Sequence, residues 1–323
     1  MTTHLPSRNI GLDLVRITES TALAASRWIG SGDYHGVHIA ACQAMSNAIK
    51  ELHITGQIII GEETRIEGQA LLCGGTQVGD KHKTGVDLAV DPIDGTNLLI
   101  KGRPGAISLM GTVPQGSLWS PGPAQYVDKL IVDREAADVL VPECMDAPAA
   151  WTLSLIARAK NKAVRDLTVV VLARRRHQEL IDEIRATGAR IFLQEEGDVE
   201  GALLAALVDT GFDILMGTGG ATQGVLAAIA VKALGSKMLM RLAPNDMEER
   251  EMIEAVGLDT KKIYTCDELV KSNEIAFAAT GITASPLLPG ITIRGNYAHM
   301  HSLLIRSETG TRRHIHTEYL LSD

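Results

Sequence analysis

Between residues 168 and 233 the chain alternates short β-branched runs with longer apolar segments, and this alternation restricts the fold more than any other feature. Residues 168–172, Thr-Val-Val-Val-Leu, read as a strand, 177–186 as a helix and 190–193 as a strand. A helix over 199–207, a strand over 213–216 and a helix over 221–233 complete the series. β-branched runs suit a pleated, half-buried surface, whereas apolar residues recurring every three or four positions suit a helix face. Strand and helix in turn at this spacing pack as layers, so the expectation is α/β architecture. Upstream, Leu14, Ile17, Thr21, Ala24 and Trp28 place a helix over 12–29. A second follows the Gly30–Asp33 break, with Ile39, Cys42, Met45 and Ile49 on one face. Strands are expected at 57–60, 86–90, 106–113 and 130–132. The segment 142–148 reads as a seam, dividing the chain into halves 1–150 and 151–323. The turn-rich stretch 275–304 is expected to return to the sheet.

With 323 residues and 45% apolar content, such a chain buries a sizeable core, but 3% aromatics leaves the packing to small aliphatic side chains. The net charge of −8 argues against a nucleic-acid partner or an anionic membrane surface. It does not exclude a phosphorylated ligand, because a bound divalent cation reverses the local sign of charge. Cys42, Cys73, Cys144 and Cys266 are widely spaced, which fits reduced thiols rather than disulfides or a structural zinc. No apolar run reaches spanning length and no basic, then apolar, leader opens the sequence. The expected location is the cytoplasm.

Chemistry concentrates between residues 58 and 97. A strand ends in Gly61-Glu62-Glu63-Thr64, and about thirty residues later another ends in Asp91-Pro92-Ile93-Asp94-Gly95-Thr96. Carboxylates at strand ends face the ligand crevice of an α/β sheet. Hard cations such as Mg²⁺ take oxygen ligands and complete their shells with water and substrate phosphate. Glu62, Asp91 and Asp94 are therefore candidate metal ligands, and the Thr96 hydroxyl is a candidate to orient an attacking water. Pro92 and Gly95 are expected to form a turn that brings both aspartates to one side. A single Asp-Gly turn or Glu-Glu pair is usually only a turn or a solvated pair. The signal is their co-occurrence.

Asp91–Thr96 resembles the signature of the lithium-sensitive, metal-dependent phosphatases, which include inositol monophosphatases and fructose-1,6-bisphosphatases. The segments Arg16–Ala24, Ile60–Glu62, Tyr126–Leu130, Arg176–Ile181, Gly197–Val199, Met216–Ala221 and Ala279–Thr283 resemble the class II fructose-1,6-bisphosphatases, in that family's order. The resemblance implies a layered α-β-α-β-α sugar-phosphatase fold. It implies hydrolysis of the 1-phosphate of fructose 1,6-bisphosphate, or of sedoheptulose 1,7-bisphosphate, and assembly as a homodimer or homotetramer. Glu62, Asp91 and Asp94 would hold Mg²⁺ or Mn²⁺, with Gly95 and Thr96 against the departing phosphate. Asp94, Tyr126, Arg174, Arg175, Arg176, Glu196, Gly197, Asp198 and Gly220 would hold the substrate. Guanidinium forks suit phosphate oxygens, and acids suit sugar hydroxyls.

The metal shell departs from that family's pattern. Tyr34 and His38 stand where a lysine and a ligating aspartate are usual, Thr64 and Ile66 replace residues of a Gly-Glu-x-Asp run, and Gln223 replaces a glutamate. His38 and Gln223 are then the candidate ligands at those places, and Glu63 the acid that compensates, as in the Gly-Glu-Glu-Thr element of inositol monophosphatases. Two functions follow. One is an active bisphosphatase with a reorganised metal site. The other is a weak or inactive paralogue that binds sugar phosphate, or an active homologue, in a regulatory role. A nucleotide site at Gly217-Thr218-Gly219-Gly220 lacks the required glycine spacing. His299, His301, His314 and His316 sit at strand-like spacing and read as structural or exposed.

Overall fold

The computed structural model describes residues 10–51, 54–62, 71–79 and 85–321. It opens with α1 (Ile10–Ser26) and α2 (Tyr34–Glu51), then β1 (Gly56–Ile60), β2 (Gln77–Val78), β3 (Val86–Asp94), α3 (Thr96–Ile100) and β4 (Ile107–Pro114). Next come β5 (Tyr126–Val132), α4 (Ala149–Ala159), β6 (Thr168–Leu172), α5 (Gln178–Ala186), β7 (Arg190–Gln194), α6 (Asp198–Ala206), β8 (Ile214–Gly220) and α7 (Ala221–Ala233). The chain closes with β9 (Lys237–Leu242), α8 (Met247–Ala255), β10 (Ile263–Thr265), α9 (Cys266–Leu269), β11 (Ala276–Gly281), β12 (Thr292–Arg294), β13 (Tyr297–Arg306) and β14 (Thr311–Leu320).

Two mixed sheets result. The first runs β12-β13-β11-β4-β3-β1-β2, with β14 paired to β13; the second runs β10-β9-β5-β8-β6-β7. Chain order and sheet order differ: β11 to β14 return to the sheet begun by β1 to β4, as the 275–304 reading expected. β5 precedes residue 150 yet belongs to the second sheet, and Cys144 in the 142–148 stretch is buried in the same cluster as Leu153 of α4.

Strand parity assigns the layers. On β3, Leu88 and Val90 join Leu14, Ile17 and Met45 of α1 and α2, whereas Ala89 faces Val225 and Ile229 of α7. In the second sheet, Val169 and Val171 meet Leu153 and Ile184 of α4 and α5, and Val170 meets the middle helices. The order is therefore helix pair, sheet, helix pair (α6 and α7), sheet, helix pair. α7 is apolar almost all round because sheets cover both its sides. Its Ala, Gly and Val residues let the two sheets close on it. The four cysteines form no disulfide, and among the described residues no helix is long and apolar enough to cross a membrane.

One correction concerns the aspartate motif. It does not follow its strand but lies within it, since β3 runs on through Asp94. The pairing register shifts between Asp91, opposite Leu109, and Asp94, opposite Ile107. Three steps on β3 thus span two on β4, which is a β-bulge, and Pro92, having no N–H to pair, suits it. Residues three apart on a regular strand point to opposite faces. The inserted residue restores parity, and both aspartates face the same cleft.

Candidate active site

That cleft has a volume of about 320 Å³. Glu62, Asp91, Asp94, Gly95, Thr96, Tyr126, Arg174, Arg176, Glu196, Gly197, Asp198, Gly220, Gln223 and His38 all line it, so the structure gathers nearly every residue expected from sequence. Arg175 does not line it. Arg174 is extended, and Arg175 opens a short 3-10 turn and is exposed. Glu63, Thr64 and Ile66 lie outside the described residues.

Asp91 is buried, and its Oδ2 accepts a hydrogen bond from Gln223 Nε2 at 3.1 Å. Burial raises its proton affinity, and the Gln223 bond and the Ile93 N–H only partly offset that. Asp94 is bound differently. Its Oδ1 accepts from Asp198 N at 3.2 Å, and its Oδ2 accepts from Val199 N at 2.9 Å and Glu200 N at 3.2 Å. It therefore sits at the N-terminus of α6, where unpaired N–H groups and the helix dipole favour negative charge. Burial, then the neighbouring charges of Asp91 and Asp198, still hold its carboxyl well above the usual carboxylate range.

Glu196 performs the same service for α3, accepting from Asn97 N at 3.0 Å and Asn97 Nδ2 at 2.6 Å. Gly95, at φ 91°, makes the left-handed step from β3 into that helix. Thr96 Oγ1 donates to Ile93 O at 3.1 Å, and the residue lines the cleft. Asp198 Oδ2 accepts from Gly220 N at 2.9 Å, while its Oδ1 meets Lys129 Nζ at 2.5 Å. A Cβ at Gly219 would lie 1.9 Å from Asp198 Oδ2, so only glycine lets β8 pass over this ion pair.

On the basic side, the Arg176 guanidinium lies 4.8 Å from the centre of the Tyr126 ring and donates to Thr218 O at 2.9 Å. Arg174 approaches Glu196 at 3.9 Å. The arginine segment is fixed by buried His177, whose Nε2 accepts from Thr218 N at 2.9 Å, with Nδ1 2.7 Å from Leu172 O. Burial lowers the proton affinity of that imidazole, which fits the neutral tautomer these two bonds require.

His38 lines the same cleft. Its Nε2 is 3.8 Å from Cys42 Sγ and its ring stacks near Tyr34, with burial and His35 lowering its proton affinity. Among the described residues, no three of the cleft's acids and His38 bring ligand atoms within 4.8 Å of one another. A small cavity does open between Glu62, Asp91, Thr222 and Gln223, of about 10 Å³, the volume of one water-sized sphere. Its polar side chains are two carboxylates, a hydroxyl and an amide. That donor set is oxygen-based and fits a hard divalent cation. The amide orientation of Gln223 is set by its neighbours, and a cation there would favour the flipped form with Oε1 inward.

Sequence reasoning gave no role to Asn97, Lys129 and Gly219. Lysine inside an apolar run (Val127, Leu130, Ile131) was the available signal for Lys129, because a strand lysine flanked by core residues needs a buried counter-charge.

A family model described as bacterial fructose-1,6-bisphosphatase, glpX-encoded, matches residues 8–319. The class 2 fructose-1,6-bisphosphatase of Haemophilus influenzae is 35% identical over 330 residues, covering 98% of each chain. Proteins of two Synechococcus strains, named D-fructose 1,6-bisphosphatase class 2/sedoheptulose 1,7-bisphosphatase, are each 34% identical over 96% of this chain and 95% of theirs.

Proposed function

The chain belongs to the family of bacterial, glpX-encoded fructose-1,6-bisphosphatases, and from that premise we propose that it hydrolyses the 1-phosphate of fructose 1,6-bisphosphate. The names of the Synechococcus relatives support sedoheptulose 1,7-bisphosphate as a second substrate. The observation that carries this reading is that one cleft presents both a carboxylate group (buried Asp91 and Asp94 with half-buried Glu62) and a guanidinium pair (Arg174, Arg176). A sugar carrying two phosphates needs both features, one for the phosphate that reacts and one for the phosphate that anchors.

The family implies a divalent-metal requirement. Mg²⁺ or Mn²⁺, held by Glu62, Asp91 and the Gln223 amide oxygen, would supply polarisation of the phosphoryl oxygen and an acidified water. The chain's own residues do the positioning. Thr96 Oγ1, already donating to Ile93 O, would accept a hydrogen bond from the incoming water and aim its oxygen. Gly95, which lines the cleft, would lie against the reacting phosphate, and Glu63, the next residue in sequence after Glu62, would be an acid for the same water. Asp94 fixes the start of α6 and, through it, Asp198. Glu196, Gly197, Asp198, Gly220 and Tyr126 take the sugar hydroxyls. Arg176, held against Tyr126, and Arg174 grip the distal phosphate by charge-assisted bonds. Assembly as a homodimer or homotetramer, a cytoplasmic location and a division into phosphatase and sugar-binding halves belong to the same proposal.

The test is inorganic phosphate release from fructose 1,6-bisphosphate with Mg²⁺ or Mn²⁺, beside Asp91→Ala. Release that the substitution reduces at least a hundredfold is expected. Release no greater than that of Asp91→Ala, with substrate still raising the melting temperature, would refute turnover and leave a sugar-phosphate binding protein.

A further inference from the structure

The hairpin of β13 and β14 carries a side-chain group that the phosphatase cleft does not use. His299 pairs across the strands with Glu318, and His301 with His316. With a side-chain period of two, these four residues share one face of the ribbon. The opposite face is the packed one: Ala298 and Met300 are buried, and Thr317 Oγ1 donates to Glu19 at 2.6 Å. His299, His301, His314 and His316 are four of the chain's 10 histidines, set in a hairpin none of whose residues lines the cleft.

From this geometry we propose that His299, His316 and Glu318 form a second metal site, selective for a borderline transition-metal ion of the zinc class. Their ligand atoms all lie within 4.8 Å of one another, and among the described residues theirs is the grouping of three metal-ligating side chains that does so. His299 Nδ1 is 3.4 Å from His316 Nε2 and 3.6 Å from Glu318 Oε1. A tetrahedral zinc with bonds of about 2.0–2.1 Å has ligand edges of about 3.3–3.4 Å. Two of the three edges therefore approach those of such a tetrahedron, the third is no longer than 4.8 Å, and water would take the fourth corner. His301 acts as a positioning residue: its ring stacks on His316 at 4.7 Å and 19°, holding the imidazole plane. Two nitrogens and one oxygen favour zinc over magnesium, so this site and the all-oxygen cavity beside Asp91 select different ions. A metal here ties β14, the strand at the edge of the sheet, to β13 through side chains as well as the backbone ladder.

Cross-strand imidazoles also stack without metal, so the experiment must separate the two. Zn²⁺ is titrated calorimetrically into the chelator-stripped full-length protein with Mg²⁺ in excess. One Zn²⁺ per chain is expected, lost in His316→Gln and in Glu318→Gln, weakened in His301→Ala, and retained in Asp91→Ala. Replacing zinc by Co²⁺ should give visible absorption of tetrahedral intensity that His316→Gln abolishes. Both Gln variants replace exposed side chains, and unchanged phosphate release shows that they fold. Zn²⁺ uptake identical in wild type and both Gln variants overturns the proposal, as does a single zinc step that vanishes only with Asp91→Ala.

Discussion

Replacing Lys129 by methionine tests how the cleft's acids are held. Lys129 is 2% exposed, and its Nζ meets Asp198 Oδ1 at 2.5 Å. Methionine keeps most of the aliphatic stem and deletes the charge, leaving Asp198 facing Asp91 and Asp94 without its cation. Removing one partner of a buried ion pair costs about 3–5 kcal/mol, because the other charge stays desolvated. An unfolding entropy of about 2.1 cal/mol/K per residue over 323 residues is about 0.7 kcal/mol/K, so the melting temperature should fall by about 4–7 K. Calorimetry on Lys129→Met, Asp198→Asn and the double variant measures it. The double variant should lose well under the sum of the singles, since each single already breaks the pair. A loss below about 1 kcal/mol for Lys129→Met, or strict additivity, would refute the view that this pair anchors the cleft.

Two further substitutions probe the acids nearby. Burial pushes the Glu200 carboxyl up to about 7 from an ordinary 4.5, with bonds from Ser285, Leu287 and Gln194 opposing. The folded state holds that proton more tightly than the unfolded chain, so wild-type stability falls as pH rises from about 4.5 to 7 and is level above. Glu200→Gln removes this loss. It should gain on wild type by on the order of 3 kcal/mol between pH 4.5 and 8, measured by urea unfolding, and a pH-independent difference would exclude the mechanism. Gln223→Glu replaces the amide that donates to Asp91 with a third carboxylate, beside Glu62 and Asp91. A unit charge at roughly 4 Å from a cation is worth about 4 kcal/mol at an effective dielectric near 20. The half-saturating Mg²⁺ or Mn²⁺ in phosphate release should therefore drop at least about tenfold, and the metal-free protein should melt lower. No gain in metal affinity would show that residue 223 does not face the cation.

The alternating region was legible because each element there buries a periodic face. α7 falls at Ala221–Ala233, the span its apolar run gave. α8, Met-Glu-Glu-Arg-Glu-Met-Ile-Glu-Ala, was not legible, since only Glu249 and Ile253 of it are buried and a polar helix writes little periodicity. β14 was missed for a related reason. It is an edge strand, and its Thr-Arg-Arg-His-Ile-His run shows no buried alternation. In the site, the acids were visible as residue types, but their partners were not. Asp94 meets Asp198 across 104 positions and Asp91 meets Gln223 across 132, separations that only the two-sheet topology closes. The bulge that aligns the aspartates was half visible, as a proline inside a strand, and was read as a turn.

The two aspartates of the bulge serve different partners, and this bears on the altered metal shell. Asp91 turns to α7 through Gln223, and Asp94 to the N-terminus of α6. Asp94's negative charge is thus met by backbone N–H groups rather than by the neighbouring small cavity, which Asp91 shares with Glu62. Those N–H bonds offset only part of the cost, because burial and the charges of Asp91 and Asp198 raise its proton affinity. A cation beside Glu62 and Asp91 would cancel one of those charges, so ionisation of Asp94 gains even where Asp94 does not touch the metal. With one carboxylate given to a helix, the cavity holds two acids, a hydroxyl and an amide, sufficient oxygen donors for a cation that completes its shell with water and phosphate. On this reasoning glutamine at 223 would weaken the cation's hold without removing its place, so phosphate release should persist once the metal concentration is raised to saturation.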